Sequence, residues 1–141
     1  GDFLEKFEAT AVPDIMYYDP FSQKTNSPLW TAKTFERIAR HIGDHSAEFY
    51  TYSAATSVRV TLLSIGFHVA EGVGSGPKAT TTVAFTHANG ISQHPAPPKL
   101  LGEEWLGRWS RSSSQFPEGL PVQDQDTFVT KLTSHPQFTG A

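Results

Sequence analysis

The 141-residue chain contains no cysteine. Disulfide bonds, thiolate metal ligands, iron–sulfur clusters and cysteine nucleophiles are therefore excluded as sources of stability or of chemistry. The absence of cysteine does not identify a redox compartment, because cysteine-free proteins occur in all of them. Any reactive group has to be sought among carboxylates, histidines, hydroxyls and aromatic side chains.

Long apolar runs and an excess of positive charge are also missing. No stretch approaches the length of about 18 residues that spans a bilayer, and residues 1–10 show no basic-then-apolar leader, so we expect a cytoplasmic protein. The formal net charge is -3, the sequence pI is about 6.0, and lysine and arginine are dispersed along the chain. This argues against a broad basic surface for duplex nucleic acid and leaves only a focused contact.

What is present is an alternation of strand-like and helix-like patterns. Apolar side chains recur every three or four residues from Phe35 to Ile42, as on one face of a helix, and short apolar or β-branched runs stand on either side. The predicted elements are a strand over residues 14–19, a helix over 35–42, a strand over 47–53, a helix over 55–65, and strands over 67–73 and 80–86. This order predicts an α/β sheet of parallel strands plus one antiparallel edge strand.

The remainder of the chain is expected to pack against this sheet. Trp105 and Trp109 stand four residues apart, and an apolar pattern from Phe128 to Leu132 follows Asp124 and Asp126, so we expect two short helices. We predict one domain over residues 1–141, made of a half-sheet (13–88) and a loop and helical extension (89–141).

Asp19 is the first candidate for chemistry. It ends the first predicted strand, and in an open α/β sheet the carboxyl ends of the strands are where ligands collect. A carboxylate there is able to orient an amine or accept its proton, while Asn26 and Trp30 in the following loop offer an amide and a stacking face. The alternative is that Asp19 caps a turn and that Trp30 is a core aromatic.

Two other patterns are weaker. The glycines from Gly72 to Gly76 follow a strand, but a phosphate-binding loop needs a helix directly afterwards, and the threonine-rich run from Thr80 predicts a strand instead. A hairpin bend is the favoured interpretation. The six histidines are scattered, with His41 and His45 on either side of a helix end, so no metal site is predicted.

Several segments together resemble the MnmC-like methyltransferase family, over about residues 14–117. They are residues 14–22 (DIMYYDPFS) with 26–31 (NSPLWT), residues 51–54 (TYSA) with Val58-Arg59, residues 63–69 (LSIGFHV), Gly72-Val73-Gly74 with Lys78, and residues 98–109 (PKLLGEEWLGRW). The last segment is similar to the C-terminal extension of stand-alone members.

The resemblance implies the C-terminal half of a class I, Rossmann-like methyltransferase sheet. Members use S-adenosylmethionine to methylate the aminomethyl group of a modified wobble uridine in tRNA. The strands that carry the family's main cofactor-binding loop have no counterpart here, so we expect this chain to be inactive alone and to bind the cofactor together with that missing half. No metal and no flavin are expected, because nothing resembles the flavin domain of the fused bifunctional members.

Site residues follow from the resemblance, position by position. Asp19 is the matching strand-end carboxylate, expected to position or deprotonate the substrate amine. Pro20 and Phe21 are expected beside the cofactor's methyl group. The expected substrate-side residues are Asn26, Trp30 and Ser53 around the base, and Arg59 and Lys78 on tRNA phosphates. The sequence Ser75-Gly76-Pro77 replaces a more basic turn of the family, which weakens the expected tRNA contact.

A rival hypothesis is a binding or assembly module that kept the half-sheet and lost catalysis. In either case the strand containing Ile15 to Tyr18 is central in the family, and without its earlier neighbours it leaves an unpaired apolar edge. We therefore expect a homodimer or a swapped assembly through that edge.

Overall fold

The computed structural model describes residues 3–19, 27–74, 80–117 and 119–140. Its strands are β1 (Ile15–Tyr17), β2 (Glu48–Thr51), β3 (His68–Val73) and β4 (Thr80–Phe85). Its helices are α1 (Phe3–Glu8), α2 (Ala32–Ile42), α3 (Thr56–Ser64), α4 (Ala88–Ser92), α5 (Glu103–Ser110), α6 (Gln125–Thr133) and α7 (Pro136–Thr139), with 3₁₀ turns at Ser27–Trp30 and Val122–Asp124. The alternating order expected for the first half is confirmed.

The four strands form one mixed sheet in the order β1-β2-β4-β3. β1 pairs with β2 in parallel, and β4 runs antiparallel to both β2 and β3, so three strands share one direction. The α/β class is confirmed, but the reversed strand lies inside the sheet and not at its edge. The reason is burial: Val83, Ala84 and Phe85 of β4 are all buried on alternating faces, which only an interior position provides, whereas Val73 of β3 is 90% exposed.

Helix α2 shows how local sequence builds the layer that covers one face of the sheet. The Thr31 side chain accepts a hydrogen bond from the Thr34 amide at 3.3 Å and caps the helix start. Phe35 and Ile38 are fully buried against the sheet. The helix ends at Gly43, whose φ of 58° lies in the region that glycine adopts without strain, and whose amide donates to the Ala39 carbonyl.

Helix α3 packs between the sheet and α6 and is therefore apolar around most of its circumference. Val58, Val60 and Leu62 are buried, and the fully buried Thr61 satisfies its hydroxyl by donating to the Ser57 carbonyl at 2.6 Å. The expected helices around Trp105 and around Phe128 are present as α5 and α6. In the part of the chain that the structure describes, no helix is long and apolar enough to cross a bilayer.

The two edges of the sheet differ. Along β3, the segment around Leu100 adds a short antiparallel bridge, with Glu71 N donating to Lys99 O and Leu101 N donating to Val69 O, both at 3.0 Å. Along β1, β2 is the strand partner found among the described residues. Ile15 and Tyr17 of β1 are 50% and 77% exposed.

Candidate active site at the carboxyl ends of the strands

The carboxyl ends of β1 and β2 and the beginning of β4 meet at one end of the sheet. Asp19 follows β1 by two residues, Thr51 is the last residue of β2, and Tyr52 follows it. β4 is antiparallel to β2, and Thr51 at the end of β2 pairs with Thr82. Thr80 and Thr81 of β4 therefore extend beyond the end of β2 and leave a notch there.

The Asp19 carboxylate is held across this notch. Its Oδ1 atom accepts hydrogen bonds from the Thr51 hydroxyl at 2.9 Å and from the Tyr52 amide at 2.8 Å. Among the residues that the structure describes, no donor reaches the second oxygen, Oδ2. The bonds to Oδ1 thus orient the Asp19 carboxylate, and Oδ2 is available to a ligand. A residue that only caps a turn would not need this second oxygen beside a cavity.

Two cavities adjoin Asp19. One, of about 170 Å³, lies above β2. Its lining residues are Tyr17, Asp19, Tyr50, Thr51, Tyr52, Val73, Thr81 and Thr82. The other, of about 340 Å³, lies on the outer side of β1 and is lined by Phe3, Met16, Tyr17, Tyr18, Asp19 and Leu29. Asp19 and Tyr17 border both spaces.

The tyrosines of the smaller cavity are functional candidates that the sequence analysis missed. Tyr17 and Tyr50 are register partners on β1 and β2, and their rings stack with centroids 5.4 Å apart and planes 25° apart. Desolvation by burial, together with Glu48 and Tyr17, raises the pKa of Tyr50, so its hydroxyl stays protonated at neutral pH. A sequence signal for this placement of Tyr17 and Tyr50 was available. Each tyrosine directly follows a buried residue of its strand, Met16 or Phe49, and successive side chains of a strand point to opposite faces of the sheet.

Trp30 lies in the core and does not border the cavity at Asp19. It is 2% exposed, and its ring contacts Tyr18 edge-on at 5.4 Å. Tyr18 in turn donates its hydroxyl to the Leu29 carbonyl, and burial raises its pKa. The expectation of a base-stacking role for Trp30 is corrected to that of a core aromatic, because the segment Ser27–Trp30 forms a 3₁₀ turn that directs the indole against Tyr18.

Ser53 supports the loop beneath the site and is absent from the lining of both cavities that adjoin Asp19. Its amide donates to the Thr51 hydroxyl at 3.2 Å, its hydroxyl accepts from the Ala55 amide at 3.3 Å, and its carbonyl accepts from Thr82 at 2.6 Å. These bonds tie the end of β2 to β4 and lead the chain into α3.

Arg59 is placed differently from the expectation of a phosphate contact. It is 5% exposed, and its guanidinium donates to the Thr82 hydroxyl at 3.0 Å and to the Thr81 carbonyl at 2.9 Å. A third bond reaches the Thr80 hydroxyl at 3.3 Å. Desolvation lowers the pKa of Arg59. The side chain joins α3 to β4, because residue 59 lies on the helix face that the sheet covers.

Four further candidates, Pro20, Phe21, Asn26 and Lys78, lie outside the described residues. Gly72 lies within β3, which pairs antiparallel with β4 as the hairpin interpretation expects, while residues 75–79 lie outside the described residues. A Cβ atom at Gly72 would stand 2.3 Å from the Thr81 hydroxyl, so a larger residue there would require the Thr81 side chain to rotate away from its bond to Val73 O.

The histidines serve separate local contacts. His45 pairs with Asp14 at 2.6 Å at the opposite end of the sheet, and His94 lies 3.7 Å from Glu48. His135 bonds the Phe67 carbonyl at 2.9 Å and lies 5.1 Å from His68, ring to ring. Within residues 3–19, 27–74, 80–117 and 119–140, no three histidine, aspartate or glutamate side chains form a group suited to a metal ion.

Comparison with known proteins assigns a family to this arrangement. A family model described as S-adenosyl-L-methionine-dependent methyltransferase matches residues 1–87. The tRNA 5-methylaminomethyl-2-thiouridine biosynthesis bifunctional protein MnmC of Burkholderia vietnamiensis is 30% identical over 128 residues, which are 91% of this chain and 16% of that protein. The protein of the same name from Ralstonia nicotianae is 38% identical over 77 residues, 55% of this chain and 12% of its own length.

A solved structure is also similar. The crystal structure of MnmC2 from Aquifex aeolicus superposes with a TM-score of 0.62 and 27% sequence identity, covering 94% of this chain and 42% of that one. The chain thus spans about a sixth of the length of the Burkholderia protein and less than half of the Aquifex chain.

Proposed function

Because this chain belongs to the S-adenosyl-L-methionine-dependent methyltransferase family, we propose that it carries the carboxylate side of a site that methylates the aminomethyl group of a wobble uridine in tRNA. The relatives named for tRNA 5-methylaminomethyl-2-thiouridine biosynthesis support the choice of substrate. We further propose a cytoplasmic location, as for a protein that modifies tRNA.

The observation that carries this proposal is the position of Asp19 between two cavities. A methyl transfer needs a donor and an acceptor on opposite sides of one point, and Asp19 borders both the 340 Å³ space outside β1 and the 170 Å³ space above β2. The larger space fits a bulky donor and the smaller one fits a single ring that bears the amine.

Asp19 has the geometry for the acceptor side of the reaction. S-adenosylmethionine, when bound, supplies an electrophilic methyl group. The Oδ2 atom accepts a hydrogen bond from the amine, which directs the nitrogen lone pair away from the carboxylate. As the nitrogen becomes positively charged, the nearby carboxylate stabilises that charge and accepts the released proton. Thr51 and Tyr52 hold the carboxylate in place throughout, through Oδ1.

The other assignments that come from the resemblance are kept as proposals. Pro20 and Phe21, which follow Asp19 directly, are proposed to border the cofactor. Asn26 is proposed to contact the substrate base and Lys78 a tRNA phosphate. The contacts that Arg59 makes with β4 support a structural role for it instead.

A chimera tests the proposal. This chain replaces the matching part of the Aquifex MnmC2 protein, and transfer of a labelled methyl group to tRNA with an aminomethyl-thiouridine is measured. We expect Asp19→Asn to lower kcat by at least about 100-fold with little change in cofactor affinity, since the amide cannot accept the proton. Asp14→Asn is the matched control, because it changes a carboxylate at the other end of β1.

The outcomes separate the hypotheses. Equal rates for Asp19→Asn and Asp14→Asn would contradict the role of Asp19. A chimera that binds cofactor and tRNA but transfers no methyl group, with or without Asp19, would favour the rival hypothesis of a non-catalytic binding or assembly module.

Self-association through β1 is a second part of the proposal. The exposed Ile15 and Tyr17 lie on a strand whose outer edge has no strand partner among the described residues, and such edges are paired or covered in stable proteins. We propose that two copies of this chain pair or exchange strands there when nothing else occupies the edge.

A further inference from the structure

The exposed Tyr17, stacked on the half-buried Tyr50 beside Asp19, points to a ring-binding subsite. Tyr17 is 77% exposed although its ring stacks on Tyr50, so most of its apolar surface is in contact with solvent. Tyr52, 57% exposed, and Val73, 90% exposed, extend the same surface around the 170 Å³ cavity. Large apolar side chains that are exposed together at a cavity mark a binding surface more often than side chains exposed singly.

The size of the cavity is sufficient for a single ring. A cavity of roughly 150 Å³ is sufficient to hold benzene in an engineered protein core. The space above β2, about 170 Å³, is large enough for one six-membered ring. The 340 Å³ space on the other side of Asp19 is the larger of the two and suits the larger ligand.

The polar groups at the rim of the cavity indicate the chemistry of the ligand. The Thr82 hydroxyl donates to Ser53 O and accepts from Arg59, and the Thr81 hydroxyl donates to Val73 O. Thr51 donates to Asp19. These hydroxyls already have partners, so the Oδ2 atom of Asp19 is the acceptor best placed for a ligand that combines a flat ring with an amine.

We propose that Tyr17 and Tyr50 stack the pyrimidine ring of the target nucleotide and thereby place its amine at Asp19. This inference rests on the proposed function and assigns its substrate side. Aromatic stacking binds single-stranded or flipped-out bases without reading their hydrogen-bonding edges, so Tyr17 supplies position and affinity while Asp19 selects the amine. Tyr17 and Tyr50 are positioning residues in this arrangement.

Photocrosslinking tests the subsite without requiring methyl transfer. The 141-residue chain is irradiated with a short single-stranded RNA that contains one 4-thiouridine, and the attachment site is mapped by mass spectrometry. We expect attachment at Tyr17, Tyr50 or Tyr52, and competition by uridine 5′-monophosphate. We expect Tyr17→Ser to reduce RNA affinity about tenfold, the loss of one stacked base, while Tyr17→Phe keeps most of it.

Val122→Ser is the matched control, because Val122 is 78% exposed and is not among the lining residues of the cavity. Since Tyr17 is also largely exposed, its variants are expected to fold, which circular dichroism checks. Attachment elsewhere, or equal affinities for Tyr17→Ser and Val122→Ser, would overturn the subsite. Competition by S-adenosylhomocysteine but not by uridine 5′-monophosphate would also overturn it, by assigning the ring site to the adenine of the cofactor. An inactive chimera combined with Tyr17-dependent crosslinking would instead contradict only the catalytic proposal.

Discussion

The two edge strands of the sheet differ. The outer edge of β3 is covered by residues from the C-terminal part of the chain, whereas β1 has β2 as its strand partner and no partner on its outer edge among the described residues. At β3, the Gln137 side chain acts as a piece of strand: its Oε1 accepts from Val69 N at 2.9 Å, and its Nε2 donates to Val69 O at 2.9 Å and to Leu101 O at 3.0 Å. At β1, the described residues provide no such cover, and the exposed Tyr17 leads directly to Asp19.

The difference separates an edge that contributes to stability from an edge whose surface is accessible for binding. A protein with an edge strand stays monomeric only when the free amides and carbonyls of that strand are hydrogen-bonded or protected from pairing with another chain. The β3 edge meets that need with contacts internal to the chain. The β1 edge carries residues of the proposed site, and a surface that binds a ligand or another polypeptide has to remain accessible until the partner arrives.

The largest effect is expected from breaking the closed edge. Gln137→Leu removes three hydrogen bonds and leaves the Val69 amide and the Leu101 carbonyl without these partners, while Val69 O keeps the bond from Leu101 N, so we expect a loss of about 2–3 kcal/mol of unfolding free energy. Urea denaturation measures it, with Gln123→Leu at an exposed position as the control. Equal midpoints for the two variants would show that the amide adds nothing to the closure of this edge.

Lowering the pH is expected to weaken the same edge by a smaller amount. His135 donates from Nε2 to the Phe67 carbonyl at 2.9 Å and accepts the Gln137 amide at Nδ1 at 3.1 Å, which requires the neutral ring. Burial, together with nearby His68, lowers the pKa of His135 below its usual 6.5, although the bond to Phe67 opposes this. Desolvation likewise lowers the pKa of His68.

The sign follows from proton binding. Below pH 6.5 the unfolded chain binds more protons at these histidines than the folded chain does, so stability is complete above that pH and falls as the pH decreases. We expect the urea midpoint to drop between pH 7.5 and 5.5 by the equivalent of about 1 kcal/mol, and the drop to be smaller in His135→Gln. His45→Gln, at an exposed histidine, is the control. A pH dependence that is unchanged in His135→Gln would rule out this contribution.

The contrast between the edges also explains which features the sequence was able to predict. The strands and the helices α2, α3, α5 and α6 follow from local periodicity, which a linear pattern contains. The pairing of β4 between β2 and β3 does not, because a hairpin has the same local pattern whichever of its strands faces inward. The short helices α1 and α4 were missed because five or six residues are too few to show a period.

The candidate site likewise contains residues whose placement the sequence indicated and residues whose placement only the tertiary structure shows. The location of Asp19 at the end of a strand was predictable from the sequence, and its role in catalysis stays a proposal. Arg59 was assigned to tRNA phosphates from the family resemblance, and only the tertiary structure shows that β4 supplies three acceptors for its guanidinium. Tyr17 was predicted only as part of a strand, and the alternation along β1 turns it to the opposite face from Met16.

The smallest effect on stability, and the sharpest test of the open edge, is expected from a charge on β1. Ile15 is 50% exposed, so Ile15→Lys should change the unfolding free energy of the monomer by no more than about 0.5 kcal/mol. A lysine on an edge strand opposes pairing with another strand, because the charge would be desolvated in the joined sheet. We therefore expect light scattering to show association of the wild-type chain at high concentration and a monomer for Ile15→Lys. Val12→Lys, at a residue that is also exposed but lies before the strand, is the control. If the wild type is monomeric, or if both variants associate equally, β1 is not the edge through which copies join, and its exposed side chains then remain accessible to the proposed substrate.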